Sequence, residues 1–299
     1  MSQKETLARH KVIIQCLRKS PASFDEIHRK LEQEADLMDC NLSISKRTFQ
    51  RDLKEIDALY KIYIQFNRSS QQYEIVEQEK DDYQERMFEA LDIFQALNIN
   101  DSISQFIQFD PRKPLGTQHI HGILHAIQHK IQLKIIYKKF WEEVPETRTL
   151  EPYLLKEFRN RWYVIGFDVD KKSVRTFGLD RIQTFQFLTT KFQFPKQIDV
   201  HEFFKDSFGV FGANSGKKQE ILLEFYNNQG DYIKTMPLHN SQEILTEEKD
   251  EMTIKLNLVP SHDFMMELMH FGENVKVLKP QSLAEALKEK LEKAWKMYV

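Results

Sequence analysis

Four arginines, Arg148, Arg161, Arg175 and Arg181, recur through one run of short β-prone segments that also carries Tyr137 and Tyr163. A guanidinium places two parallel hydrogen bonds on a phosphate or carboxylate, and a tyrosine ring stacks on a base or donates a hydrogen bond. These six residues are therefore candidate contacts for an anionic effector. From Lys130 to Lys191 there are 13 Lys/Arg and 8 Asp/Glu, an excess of five in a chain whose formal net charge is -2. The positive charge is local. Trp162 and Phe177 in the same run read as core, and Asp180-Arg181 reads in part as a structural ion pair.

A second group lies near the N-terminus. Phe49, Leu53, Ile56 and Tyr60 recur at helical spacing, which predicts a helix starting at Ser45 and leaves Arg47, Gln50, Arg51 and Lys54 on the opposite face. A helix fits the major groove, where Arg and Gln read base edges while Lys, Ser and Thr hold phosphates. Ser45, Lys46, Arg47, Thr48, Gln50, Arg51 and Lys54, with Arg68 in a following loop, are the candidate DNA contacts. Asn41 to Tyr73 holds six Lys/Arg and three Asp/Glu, a net of plus three. Charge alone leaves a solvated face in a protein-binding module as the competing reading.

His119, His121, His125 and His129 crowd a short segment, and three of them share a helical face at i, i+4 and i+8. With no accompanying Cys or general-base Glu, and with Ile120, Ile123, Leu124 and Ile127 forming a core stripe, they read as a polar helix face; no metal and no cofactor is expected. The chain lacks Gly-x-Gly-x-x-Gly, a Walker loop, His-Glu-x-x-His and Gly-x-Ser-x-Gly, so catalysis is not expected. Cys16 and Cys40 have no redox or metal spacing, no apolar run reaches the ~20 residues of a membrane span, and the polar start is unlike a signal peptide. The expected setting is cytoplasmic, with no membrane partner.

The elements that must position these side chains follow from pattern. Before the basic helix, Leu7, Ile14 and Leu17 support one helix, and the capping box Ser23-Phe24-Asp25-Glu26 opens another with Ile27 and Leu31 inward. Strands at Ile62 to Asn67 and Tyr73 to Val76 make a hairpin. Three helices and a hairpin describe a winged helix-turn-helix over 1–79. Residues 80–118 read as a helical linker, with one stripe of Met87, Ala90, Leu91, Phe94 and Leu97 and another of Ile103, Phe106 and Ile107 before Pro111 and Pro114. Within 119–200, strands near 135–137, 148–155, 161–168 and 175–182 suggest a small bent antiparallel barrel with Arg161–Asp168 as a central strand. After a connector at 201–216, residues 217–299 follow the order βαββαβ of ferredoxin-like domains, then a last helix opened by Ser282-Leu283-Ala284-Glu285 with Leu287, Leu291 and Trp295 on one stripe. The fold class is α+β, multidomain.

The order Tyr137, Arg148 with Pro152 four residues later, Trp162-Tyr163-Val164, Arg175-Thr176-Phe177 and Asp180-Arg181-Ile182 resembles the WYL domain, an Sm/SH3-like β-barrel named for a Trp-Tyr-Leu triplet; Val164 stands where the triplet has Leu. The segment from Ile44 to Leu53, through its Arg-Thr-Phe and Arg-Asp-Leu elements, is similar to the recognition helix of DeoR-type regulators. The last section resembles the C-terminal extension that often follows the WYL domain, including the turn from Pro237 to Gln242 and Phe271-Gly272 before Val275. The resemblance implies a ligand-responsive bacterial transcriptional regulator that binds double-stranded operator DNA and senses an oligonucleotide or a (cyclic) nucleotide in the barrel. A phage-defence or DNA-damage operon is the expected target, and a homodimer the expected assembly. The alternative is a single-stranded nucleic-acid or RNA-binding module without operator specificity.

Overall fold

The computed structural model describes residues 3–38, 41–76, 89–90, 116–195, 202–210 and 216–299. The chain divides into two compact units, Met1–Pro111 and Arg112–Val299. Both linker stripes lie outside the described residues except for Ala90.

In the first unit, α1 (Gln3–Lys19), α2 (Phe24–Met38) and α3 (Lys46–Tyr60) precede an antiparallel hairpin of β1 (Ile64–Asn67) and β2 (Gln72–Ile75). The capping box forms: the Ser23 N–H donates to Glu26 at 2.7 Å, and the Glu26 N–H returns to Ser23 Oγ at 3.3 Å. Ser45 caps α3, its hydroxyl accepting from the Thr48 N–H at 3.2 Å. Phe49, Ile56 and Tyr60 are buried with Ile13, Ile14, Ile27, Leu31 and Leu42, and Leu53 packs at the margin. Ala22 exchanges two backbone hydrogen bonds with Tyr73, so a single bridge ties the chain before α2 to the hairpin. Leu7 lies outside the buried set; Ala8 and Val12 fill that side of α1, along with two residues no apolar pattern selects, Arg9 and His10.

In the second unit, α4 (Ile120–His129) leads into β3 (Ile131–Tyr137), β4 (Glu146–Phe158), β5 (Arg161–Asp168), β6 (Ser173–Gly178) and β7 (Ile182–Lys191). The sheet order is β6-β5-β4-β3-β7, with every neighbouring pair antiparallel. As expected of a central strand, β5 is paired on both sides, by β4 and β6, and β4 is the middle of the five. The run from Arg175 to Ile182 is not one strand: a one-turn 3-10 helix, Leu179–Arg181, separates β6 from β7, because Gly178 ends the ladder and the chain must cross to pair with β3. Among the described residues the ladders leave β6 and β7 as the two edges of this sheet, joined to each other by that 3-10 turn. Gly166 is demanded by the bulge at Pro152/Leu154, since a Cβ there would lie 2.2 Å from the Glu151 carbonyl oxygen. On α4, Ile123 and Ala126 face the core while Leu124 is 46% exposed, which corrects its place in the stripe.

The remainder runs β8 (Gln219–Tyr226), α5 (Gln229–Thr235), β9 (Glu243–Glu247), β10 (Glu251–Leu258), α6 (His262–Phe271), β11 (Val275–Lys279) and α7 (Gln281–Trp295). The four strands form one antiparallel sheet in the order β11-β8-β10-β9, so the first and third strands of the βαββαβ order lie in the middle. Helix α7 starts earlier than expected: Pro280 takes the cap position with no side-chain cap bond, and Ser282 lies inside the helix. Leu283 and Leu287 are buried, whereas Leu291 and Trp295 run past the core into solvent.

Candidate nucleic-acid and anion sites

On α3, Lys46, Arg47, Gln50, Arg51 and Lys54 are all exposed. Among the described residues Arg47 and Lys54 make no ion pair, so both heads are available to a ligand. The other positions carry secondary work. Ser45 and Thr48 hold the helix start, their hydroxyls 3.1 Å apart, and the Lys46 ammonium lies 5.5 Å from the centre of the Phe24 ring. Gln50 donates to the Tyr73 hydroxyl at 3.0 Å, tying the helix face to the hairpin. Arg51 leans on Glu55 at 3.5 Å and on Asp52 at 3.9 Å. Arg68 is exposed in the hairpin turn. A basic helix N-terminus with one polar face suits a phosphate-lined groove.

Behind that face lies a charged group that the sequence reading did not find. Arg9, His10 and Asp52 are fully buried; Arg9 Nε donates to Asp52 at 2.8 Å, and His10 Nε2 lies 3.7 Å from Asp52 and 3.5 Å from Glu55. Burial alone would raise the Asp52 pKa, but the adjacent His10 and the hydrogen-bonded Arg9 guanidinium outweigh it and hold the carboxyl below its ordinary value. Asp52 sits next to Arg51, so the buried pair fixes the helix that presents it.

Contacts join five of the six effector candidates into two groups, one around Asp180 and one around Asp168. In the first, Asp180 receives Arg161 at 2.5 Å and lies 3.6 Å from Arg181 Nε, and the Arg181 guanidinium lies 5.5 Å from the centre of the Tyr137 ring. Tyr137 packs edge-on against Phe177, and its pKa is raised by burial, partly offset by the charge of Arg181. Gly178 makes room here: a Cβ would fall 2.5 Å from both Asp180 Oδ1 and Arg181 Nη2. In the second, Asp168, 1% exposed, lies 4.0 Å from Arg148 Nε and 3.9 Å from Arg175 Nε, and Arg148 also contacts Glu146. Asp168 Oδ2, Asp180 Oδ1 and Arg181 Nε are buried without a hydrogen-bond partner.

Strand register separates the tyrosines. Tyr137 pairs with Glu146, two places from Arg148, on the face that also carries Leu150, Asp168 and Phe177. Tyr163 pairs with Gly178 and Lys156 and lies on the other face of β5 from Val164. Its pKa is raised mainly by burial and is opposed by the charges of Arg181 and Arg161, so it stands on the other face of the sheet yet within the field of the Asp180 group. Trp162 packs partly against the core and Phe177 is buried, as read from the sequence. His119, just before α4, places Nε2 3.0 Å from the Ile182 carbonyl oxygen, while His121, His125 and His129 on α4 are exposed, the last two with rings 4.3 Å apart.

Sheet and C-terminal part meet through several contacts. Phe158 packs edge-on against Phe208, Arg159 pairs with Glu267, and Thr176 donates to the Val210 carbonyl at 3.1 Å. Lys156 lies 3.8 Å from the centre of the Phe204 ring; burial lowers its pKa to about 8, with Asp263 opposing part of the shift.

Among solved structures, proteasome accessory factor B/C (PafBC) of Arthrobacter aurescens is similar at 18% identity and a TM-score of 0.38, over 96% of this chain and 46% of that one. This chain thus spans less than half the length of that protein. A CRISPR Cas-related protein is similar at 12% identity and a TM-score of 0.40, over 100% of this chain and 87% of that one. No curated protein matches. No described helix is long and apolar enough to cross a membrane. Residues 118–187 match the WYL domain and residues 217–295 match the WCX domain. They coincide with the sheet that carries the paired arginines and with the βαββαβ section after it, and the chain is a WYL domain-containing protein.

Proposed function

We propose that the chain is a non-catalytic, ligand-responsive bacterial transcriptional regulator. Helix α3 enters the major groove as the recognition helix of a winged helix-turn-helix, with Arg47 and Arg51 reading base edges, Lys46, Lys54 and Ser45 holding phosphates, and Arg68 reaching the backbone from the hairpin turn. The WYL domain senses an anionic effector, a nucleic-acid fragment or nucleotide, through its two arginine groups, and the protein acts as a homodimer on an inverted-repeat operator of a phage-defence or DNA-damage operon.

The observation that carries the reading is the exposed run Arg47, Gln50, Arg51 and Lys54 on a helix whose other side is sealed into the core by Phe49, Ile56 and the buried Asp52. A helix anchored so firmly, with four hydrogen-bonding side chains free of the core, suits a ligand that reads geometry. Footprinting on the DNA upstream of the gene tests it. A protected inverted repeat, with duplex preferred over either single strand, is expected; equal binding to duplex and single strands would overturn the reading.

A further inference from the structure

The loop from β3 to β4 carries two aromatic rings to solvent, Phe140 at 68% and Trp141 at 76% exposure. Two adjacent exposed rings make a contiguous apolar patch, and such patches mark binding sites where singly exposed side chains do not. These two stand beside the Asp180 group: the Arg181 guanidinium lies 5.4 Å and the Arg161 guanidinium 5.9 Å from the centre of the Phe140 ring. Arg181 is shared between Phe140 and the Tyr137 ring. Two cations share the single carboxylate of Asp180, whose side chain is nearly buried while that of Arg161 is exposed. Lys138 and Lys139 enter the loop, and Lys139 is engaged by Glu142 at 2.6 Å. Asp180 lies beneath the rings and Glu142 and Glu143 follow them in the loop, so the cations set against Phe140 are Arg161 and Arg181.

Taking the Asp180 group as an anion site, as the reading above does, we propose that Phe140 and Trp141 form a stacking platform that extends that site along a single-stranded nucleic acid, so that the effector is an oligonucleotide and not a mononucleotide. Arg161 and Arg181 hold one phosphate, Phe140 takes the adjoining base, and Trp141 takes a base further along the strand. Each base offers a π-face irrespective of sequence, so the platform tolerates any sequence while demanding more than one nucleotide. A duplex keeps its bases stacked on one another and gains nothing from the two rings.

The test uses the full chain, the double variant Phe140→Ala/Trp141→Ala, and three probes: thymidine monophosphate, an oligothymidylate of about eight nucleotides and an oligouridylate of the same length, within the span that such grooves cover. Both substituted side chains are exposed, and thermal melting checks that the fold is kept. Wild type is expected to bind an oligomer more tightly than the monophosphate, with quenching of tryptophan fluorescence. The variant is expected to lose about 5- to 100-fold per ring in oligomer affinity and to keep its affinity for the monophosphate. Preference for one oligomer identifies the strand as DNA or RNA. Equal oligomer binding by wild type and variant overturns the platform while leaving the anion site standing. If wild type binds none of the three, the anion site itself falls.

Discussion

Arg9 of α1 and Asp52 of α3, 43 residues apart, form a fully buried ion pair with Nε 2.8 Å from Oδ2, directly behind the surface that carries Arg51. Neither charge touches solvent, and each is tolerated only because the other is there.

Replacing Asp52 with Asn should destabilise the N-terminal unit by about 3–5 kcal/mol, because it strands a guanidinium in the core. The pH dependence has a definite sign. The carboxyl is held below its unfolded pKa near 3.9, so its contribution is complete above that value and drains away as pH falls through the folded value. Denaturant melts of wild type and variant should converge as the solution is acidified; a constant gap down to pH ~2 would contradict this assignment.

Arg47→Ala/Arg51→Ala should leave thermal stability nearly unchanged and abolish specific duplex binding, since both side chains lie outside the core. Each base-reading arginine contributes about 1–3 kcal/mol. A footprint retained at the same salt by the double variant would remove α3 from the role of recognition helix.

Lys156 gives a pH slope of the same sign in a higher window, although its removal stabilises. Its folded pKa of about 8 lies below the ordinary lysine value near 10.4, so between those limits the folded chain holds fewer protons than the unfolded one. Stability should therefore rise with pH across that window. Lys156→Met should erase the rise and stabilise the second unit at neutral pH, which melting curves taken at several pH values will show; an unchanged slope would place the titration elsewhere.

Arg148→Ala or Arg175→Ala should leave operator binding by the ligand-free protein intact and remove its response to effector. The coupling is reciprocal, so operator DNA must change effector affinity by the same factor that effector changes operator affinity. Titration of short oligonucleotides and cyclic nucleotides with and without operator duplex measures both sides, and equal binding by both variants and wild type would exclude the Asp168 group.

The full chain should be a homodimer at micromolar concentration, as two-fold sites require. The exposed Leu291 and Trp295 on α7 are candidate contacts. Light scattering that returns a monomer, together with an unrepeated binding site, would count against it.

Legibility in the sequence followed periodicity. Phe49, Ile56 and Tyr60 mark α3 because apolar residues at 3.6-residue spacing have one reading, and Ser45 and Ser23 announce helix starts through local hydrogen bonds. Arg9, His10 and Asp52 were invisible for the converse reason: charged residues are assigned to surfaces, and their partners lie 42 or 43 positions away. Strand β7 was missed because its mix of Gln, Thr and Phe on an edge lacks clean alternation, and the turn before it carries no Pro or Asn to mark it. The arginines were named correctly by type, yet sequence could not show that each would find a carboxylate, or that strand register would turn Tyr163 away from Tyr137.

Strand β4 runs for 13 residues, about 40 Å of extended chain, with Arg148 near one end and Phe158 against Phe208 at the other. Its first part, Glu146 to Leu150, pairs with β3 and the rest, Leu150 to Phe158, with β5, so the two ladders hand over at Leu150. A ligand that draws Arg148 away from Glu146 and Asp168 would pull on one end of a lever whose far end bears on α6 through the Arg159–Glu267 pair. The bulge at Pro152/Leu154 is the one break in that lever, and it sets where along the strand such a pull would bend.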